Sequence, residues 1–124
     1  MTTFNDKETT VQELKDLIFQ FAKNRQWVHY HTPKNLSMAL TVEAGELMEH
    51  FMWLQDKEID EMLKTNKKEA VCDEIADIVT YALELANVMD IDLAACIKRK
   101  YEKNCLKYPE SENQGTFEKK KTSK

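Results

Sequence analysis

Residues 68–89, KEAVCDEIADIVTYALELANVM, decide the fold class, because their apolar positions repeat at helical spacing over about six turns. After Asp77 the segment is almost wholly apolar apart from Thr80, Tyr81, Glu84 and Asn87. A helix with so broad an apolar surface needs neighbours on more than one side, from its own bundle or from another subunit.

The rest of the chain supplies such neighbours. VQELKDLIFQFAKNRQW carries Val11, Leu14, Leu17, Ile18 and Phe21 as a helical stripe. Thr32-Pro33 follows the break VHYHTPKN and reads as an N-cap and first helical residue, since proline's missing N–H costs nothing there. A second helix is therefore expected from Pro33 to about Trp53. Residues 55–68 are polar with Ile59, Met62 and Leu63 interspersed, a short helix or an ordered connection. Asp92 is placed to cap a last helix, LAACIKRKYEKNCLKYP, ended by Pro109. The spacing predicts an all-α, four-helix bundle, one domain over 1–109 with a flexible polar tail over 110–124.

Composition narrows the function classes. Two glycines and two prolines in 124 residues leave little turn material for an all-β fold. A formal charge of −4 argues against wholesale nucleic-acid binding. Cys72, Cys96 and Cys105 form no CxxC pair and read as reduced thiols acting as small hydrophobes within helices. MTTFNDKETT lacks a basic start and an apolar run, and no stretch approaches membrane-spanning length, so a cytoplasmic chain is expected.

The chemistry centres on carboxylates. Glu43, Glu46 and His50 stand at i, i+3 and i+7 on the second helix, and Glu74, Asp77 and Tyr81 repeat that spacing on the third. If the two helices pack together, four carboxylates converge and repel one another unless a divalent, oxygen-loving cation joins them, Mg²⁺ or else Mn²⁺. Gly45 beside the acidic pair would let a neighbouring helix or a ligand come close. The competing reading is a solvated acidic face. Against it, both pairs lie amid apolar neighbours, and positions 47, 50, 78 and 81 hold Leu, His, Ile and Tyr rather than the lysines of ordinary surface pairing. A di-iron centre would need Glu-x-x-His motifs, and position 47, three before His50, is Leu.

Around the acids, Lys100 and Asn104 at i, i+4, followed by Lys107 and Tyr108, offer donors to phosphate or a basic helix end favoured by the macrodipole. Trp27, His31, Trp53 and Tyr81 offer ring faces and polar tips to a nucleobase, though such aromatics also serve as core. Lys34 faces phosphate or solvent, and His50 reads as structural.

RQWVHYHTPKNLSMALTVEAGELMEHFMWL, then DEIADIVTYALELA and KNCLKYP, together resemble the MazG-like all-α nucleoside triphosphate pyrophosphohydrolases, most of all the short dCTP pyrophosphatase branch. The similarity runs over about residues 20–109. It rests on ExxE and ExxD at Glu43, Glu46, Glu74 and Asp77, on the Trp27-x-x-x-His31-x-Pro33-x-Asn35 lead-in, on Trp53, and on Asn104-x-x-x-Tyr108-Pro109. Ala44, Lys34 and Asp73 depart mildly from the pattern. The resemblance implies Mg²⁺ held by the four acids and hydrolysis of a (deoxy)nucleoside triphosphate, such as dCTP, between the α and β phosphates. Lys100, Asn104 and Tyr108 match the family's phosphate side. It also implies a homodimer or homotetramer. Glu46, with Glu43, is the choice for the catalytic carboxylate that takes a proton from water. Two alternatives stand beside this expectation: a non-catalytic helical interaction module, and a relative acting on dUTP, dUDP or phosphoribosyl-ATP.

Overall fold

The long apolar segment is helical as its spacing predicts, and it organises the first ninety residues. A computed structural model describes residues 3–115, and among them there are helices and turns but no strand. In chain order the helices are α1 (Val11–Asn24), a 3₁₀ turn (Val28–Tyr30), α2 (Pro33–Glu49), α3 (Asp56–Met62), α4 (Lys67–Val88) and α5 (Leu93–Lys107). Their contacts divide the chain into two compact units, residues 1–90 and a second unit beginning at Ile91.

The starts of α1, α2 and α5 each have a chemical cause. Thr10 caps α1 by accepting from the Glu13 N–H at 3.1 Å, while the Glu13 carboxylate accepts from the Thr10 N–H at 3.2 Å, a reciprocal capping box. Thr32 accepts from the Asn35 N–H at 3.1 Å with Pro33 in the first turn, as expected. Asn35 also donates to the Tyr30 carbonyl at 2.9 Å, which pins the 3₁₀ turn to the start of α2. Asp92 accepts from the Ala95 N–H at 3.1 Å and so caps α5.

The stop of α1 shapes the site. Gln26 adopts a left-handed φ of 58°. The Trp27 N–H then reaches back to the Ala22 carbonyl at 2.9 Å and the Gln26 N–H to the Lys23 carbonyl at 3.0 Å, the Schellman pattern. Its usual apolar clasp is present as an edge-on contact of Trp27 with Phe21, centroids 5.8 Å apart.

Within the first unit α4 packs most extensively on α2 and also on α1. Leu36 of α2, Ala22 of α1 and Val71, Leu83 and Ala86 of α4 are buried; Glu84 is the one polar side chain buried among the described residues. Much apolar surface stays open: Met38 and Val42 on α2 are 57% and 59% exposed, and Ile75 and Val79 on α4 are 48% and 46% exposed.

Several expectations need correction. The helix predicted to reach Trp53 ends at Glu49, because the His50 N–H turns back to the Leu47 and Met48 carbonyls and residues 51–53 continue as a turn. The uncertain segment after it contains a real helix, α3, so the long helices number four as predicted and the short one makes five α-helices in all. A Cβ placed on Gly45 would meet nothing within 4 Å, so no described helix makes the close approach that this glycine was expected to allow a neighbouring helix or a ligand. Cys72 and Cys105 are exposed and Cys96 is half-buried, all as free thiols, because their positions face away from the small core. Of the expected tail, residues 110–115 form turns anchored by the Glu112 N–H on the Pro109 carbonyl at 3.0 Å, and 116–124 lie outside the described residues. No described helix is long and apolar enough to cross a membrane.

Candidate active site

The packing of α2 on α4 brings the two acidic turns together. Glu43, Glu46 and Glu74 each offer a carboxylate oxygen, and these oxygens lie within 4.8 Å of one another. Glu43 and Glu74 are half-buried and Glu46 is exposed. Asp77 stands three residues beyond Glu74 and is not a member of that tight trio, although its charge reaches Glu43.

Electrostatics mark the trio as strained without a counter-charge. The Glu43 carboxyl is pushed up to about 7, first by sharing a hydrogen bond with Glu74, then by desolvation, then by the hydrogen bond and charge of Glu46 and the charge of Asp77. Two carboxylates this close hold a proton between them because both cannot ionise cheaply. One oxygen of Glu74, Oε2, is buried and without a hydrogen-bond partner. The nearest base is His50, whose Nε2 stands 4.0 Å from Glu74 Oε1, beyond a direct hydrogen bond. An all-carboxylate set with an orphaned buried oxygen and a retained proton is what a hard divalent cation satisfies, replacing the proton.

Beside the acids lies a cavity of about 350 Å³ bounded by Leu17, Ile18 and Phe21 of α1, Trp27, His31, and Asp77, Thr80, Tyr81 and Glu84 of α4. Asp77 therefore joins the cavity to the acidic turn of α4. Burial raises the Tyr81 phenol first, followed by the charges of Glu43, Asp77 and Glu46, so that hydroxyl stays protonated and able to donate. Trp27, His31 and Tyr81, three of the four aromatic candidates, line this cavity. Trp53 does not: in the turn after α2 it is 83% exposed.

The basic candidates belong to the second unit. Lys100 and Asn104 of α5 line a recess of about 400 Å³ with Cys96, Ile97 and Tyr101. Tyr108 ends α5, its N–H bonded to the Asn104 carbonyl at 2.8 Å, and Lys107 Nζ lies 5.9 Å from the Tyr108 ring centre. Lys34 is exposed in the first turn of α2.

One residue escaped the sequence reading. Glu84 is 1% exposed, and its Oε2 lies 2.6 Å from His31 Nδ1. Its other oxygen accepts from Asn87 Nδ2 at 2.9 Å, and the same amide donates to the Lys15 carbonyl of α1 at 2.9 Å. A signal for it exists: Asp77, Thr80, Tyr81, Glu84 and Asn87 form a polar row at helical spacing through an otherwise apolar segment.

Comparison with known proteins agrees with this fold. The sequence pattern of the MazG-like family matches residues 38–122. dCTP pyrophosphatase 1 of Homo sapiens is 33% identical over 103 residues, and that of Bos taurus 34%; in each case the match takes in 82% of this chain and 61% of the relative. The chain thus spans less than two thirds of the length of these relatives. A solved structure of a pyrophosphatase from Archaeoglobus fulgidus superposes with a TM-score of 0.76 at 39% identity, covering 87% of this chain and all of the other. Sequence and fold together place this chain in the MazG-like family.

Proposed function

We propose that this protein hydrolyses (deoxy)nucleoside triphosphates, dCTP or a related dNTP, at the α–β phosphoanhydride, releasing monophosphate and pyrophosphate. The observation that carries this reading is the meeting of Glu43, Glu46 and Glu74 within 4.8 Å beside an aromatic cavity of nucleobase size. The pyrophosphatases among its relatives support the reaction class.

In this reading Glu43, Glu46, Glu74 and Asp77 hold Mg²⁺. When bound, the cation supplies charge neutralisation for the triphosphate and Lewis acidity at the attacked phosphorus. Glu46, the exposed member of the trio, accepts a proton from the water that attacks the α-phosphorus. Glu43 stands beside it as the second catalytic carboxylate. Trp27 and Tyr81 offer ring faces to the base, His31 a polar tip, and Lys100, Asn104, Lys107 and Tyr108 serve the phosphates. Trp53, so exposed in the single chain, would reach a base only from outside the cavity. The open apolar positions Met38, Val42, Ile75 and Val79 suit a homodimer or homotetramer, and three free thiols suit a reducing compartment such as the cytoplasm.

A panel of nucleotides with Mg²⁺ tests the reaction. Monophosphate plus pyrophosphate is the expected product pair; orthophosphate plus diphosphate would contradict the assignment.

The Glu43 shift gives a pH dependence. Its folded value, about 7, lies above the ordinary 4.5, so between those values the native chain binds more proton than the unfolded one. Stability of the cation-free chain therefore falls as pH rises through that window. Cation binding must expel the proton, so Mg²⁺ affinity should rise up to about tenfold per pH unit below 7 and flatten above. Calorimetric titration at pH 5.5, 6.5 and 8 measures this, and a flat profile would remove the shared proton from the account.

A further inference from the structure

We infer that Thr80 is a specificity-determining residue, its hydroxyl bonding to a polar atom on the edge of a nucleobase held in the aromatic cavity. The inference rests on the proposal that this cavity takes a base, and it adds a contact through which one base is preferred to another.

The two helices that bound the cavity offer unlike walls. α1 contributes Leu17, Ile18 and Phe21, whose side chains make no hydrogen bonds. α4 contributes Asp77, Thr80, Tyr81 and Glu84, at spacings of three and four residues that put them on one face. His31, bonded to Glu84, stands on the same polar side. A base has apolar ring faces and a polar edge, and that edge would be desolvated and unpaired against α1. It is satisfied on the α4 side. The polar row also has a direction: Glu74 belongs to the acidic trio, Asp77 comes next and lines the cavity, and Glu84 follows about two turns further on. A nucleotide with its phosphates at the trio lays its base along the stretch from Asp77 to Glu84, and Thr80 is in the middle of that stretch.

Of this row, Glu84 is committed, one oxygen to Asn87 and the other to His31. Asp77 is an acid of the α4 turn that carries Glu74. The Thr80 hydroxyl has no hydrogen-bond partner among the described residues, and its oxygen is not sealed from solvent. Other threonines of the chain behave differently. Thr41 donates back to the Ser37 carbonyl at 2.8 Å and Thr65 to the Met62 carbonyl at 2.6 Å, while Thr10 and Thr32 cap helices. A half-buried hydroxyl on a helix, both donor and acceptor and without an internal bond to break, can pair with either kind of atom on a base at little reorganisation cost.

The test pairs binding with turnover on the whole chain. Thr80→Val keeps the shape and removes the hydroxyl; Thr80→Ser keeps the hydroxyl. Deoxynucleoside monophosphates of the four bases are titrated by NMR without metal, and the triphosphates are assayed with Mg²⁺. For the preferred base, Thr80→Val should weaken monophosphate binding and raise KM roughly five- to tenfold, with kcat within about threefold, as for loss of one hydrogen bond. For the least preferred base the same quantities should change less than about twofold. Thr80→Ser should stay within about twofold of the parent for every base. The melting temperature of nucleotide-free Thr80→Val should not fall, since no internal bond is lost. Equal losses for all four bases, unchanged handling of the preferred base, a parent without base preference, or a lowered melting temperature would each overturn the inference. A parent that binds monophosphates but hydrolyses no triphosphate would sink the proposed function alone, and the monophosphate titrations would still decide the role of Thr80. A parent that neither binds nor hydrolyses any of them would sink both.

Discussion

Glu46→Gln is expected to abolish turnover, by about 10²- to 10⁴-fold in kcat, while leaving the helical fold and its melting temperature close to those of the parent chain. Glutamine keeps the size and the exposed position of Glu46 but cannot take a proton from water. The fold should tolerate the exchange, because Glu46 lies outside the buried core formed by Ala22, Leu36, Val71, Leu83 and Ala86. Loss of one negative charge beside Glu43 should even relax the trio, since Glu46 is among the causes of the raised Glu43 value. Steady-state kinetics with circular dichroism on the same sample checks both halves. Activity within threefold of the parent would remove Glu46 from the proton-accepting role.

The second large effect concerns Glu74 and has opposite signs for stability and binding. Glu74→Gln should raise the melting temperature of the cation-free chain, because an amide can donate to the Glu43 carboxyl and one of the acids crowded there is removed. The same variant should lose the rise in melting temperature that Mg²⁺ gives the parent, and its turnover with it. A site that is destabilised when empty and satisfied when filled is the usual cost of a binding function. Thermal melts of parent and variant, with and without Mg²⁺, separate the two effects. Were the variant less stable than the parent without metal, Glu74 would be a structural acid and the cluster a solvated face.

Why these acids were legible in sequence while Glu84 was not is a matter of range. Thr32-Pro33 and Asp92 act on N–H groups within three residues, so their capping roles can be read locally, and both are found. Glu43, Glu46 and Glu74 required one further assumption, that the two acidic helices pack face to face, which α2 and α4 do. Glu84 required the docking of α1 and of the 3₁₀ turn on α4, with partners 53 and 72 residues apart in the Glu84–His31 and Asn87–Lys15 bonds. In the sequence it stands only as one of the few polar positions in an apolar segment. The end of α2 was misplaced for another reason. Met48, Phe51 and Met52 continue the apolar pattern past Glu49, and neither glycine nor proline marks the stop. The apolar faces of Met38, Val42, Ile75 and Val79 were readable as hydrophobic, but periodicity cannot distinguish a face covered within the chain from one left open.

The left-handed stop at Gln26 has a bearing on the order in which the cavity is assembled. Trp27 and Phe21 are brought together by bonds that span five residues or fewer, so that wall can form as soon as α1 does. The opposite side, where His31 meets Glu84, closes only when distant segments dock. A partly unfolded molecule should therefore retain its tryptophan edge while losing the histidine's anchor, and ligand recognition should fail before helix content does.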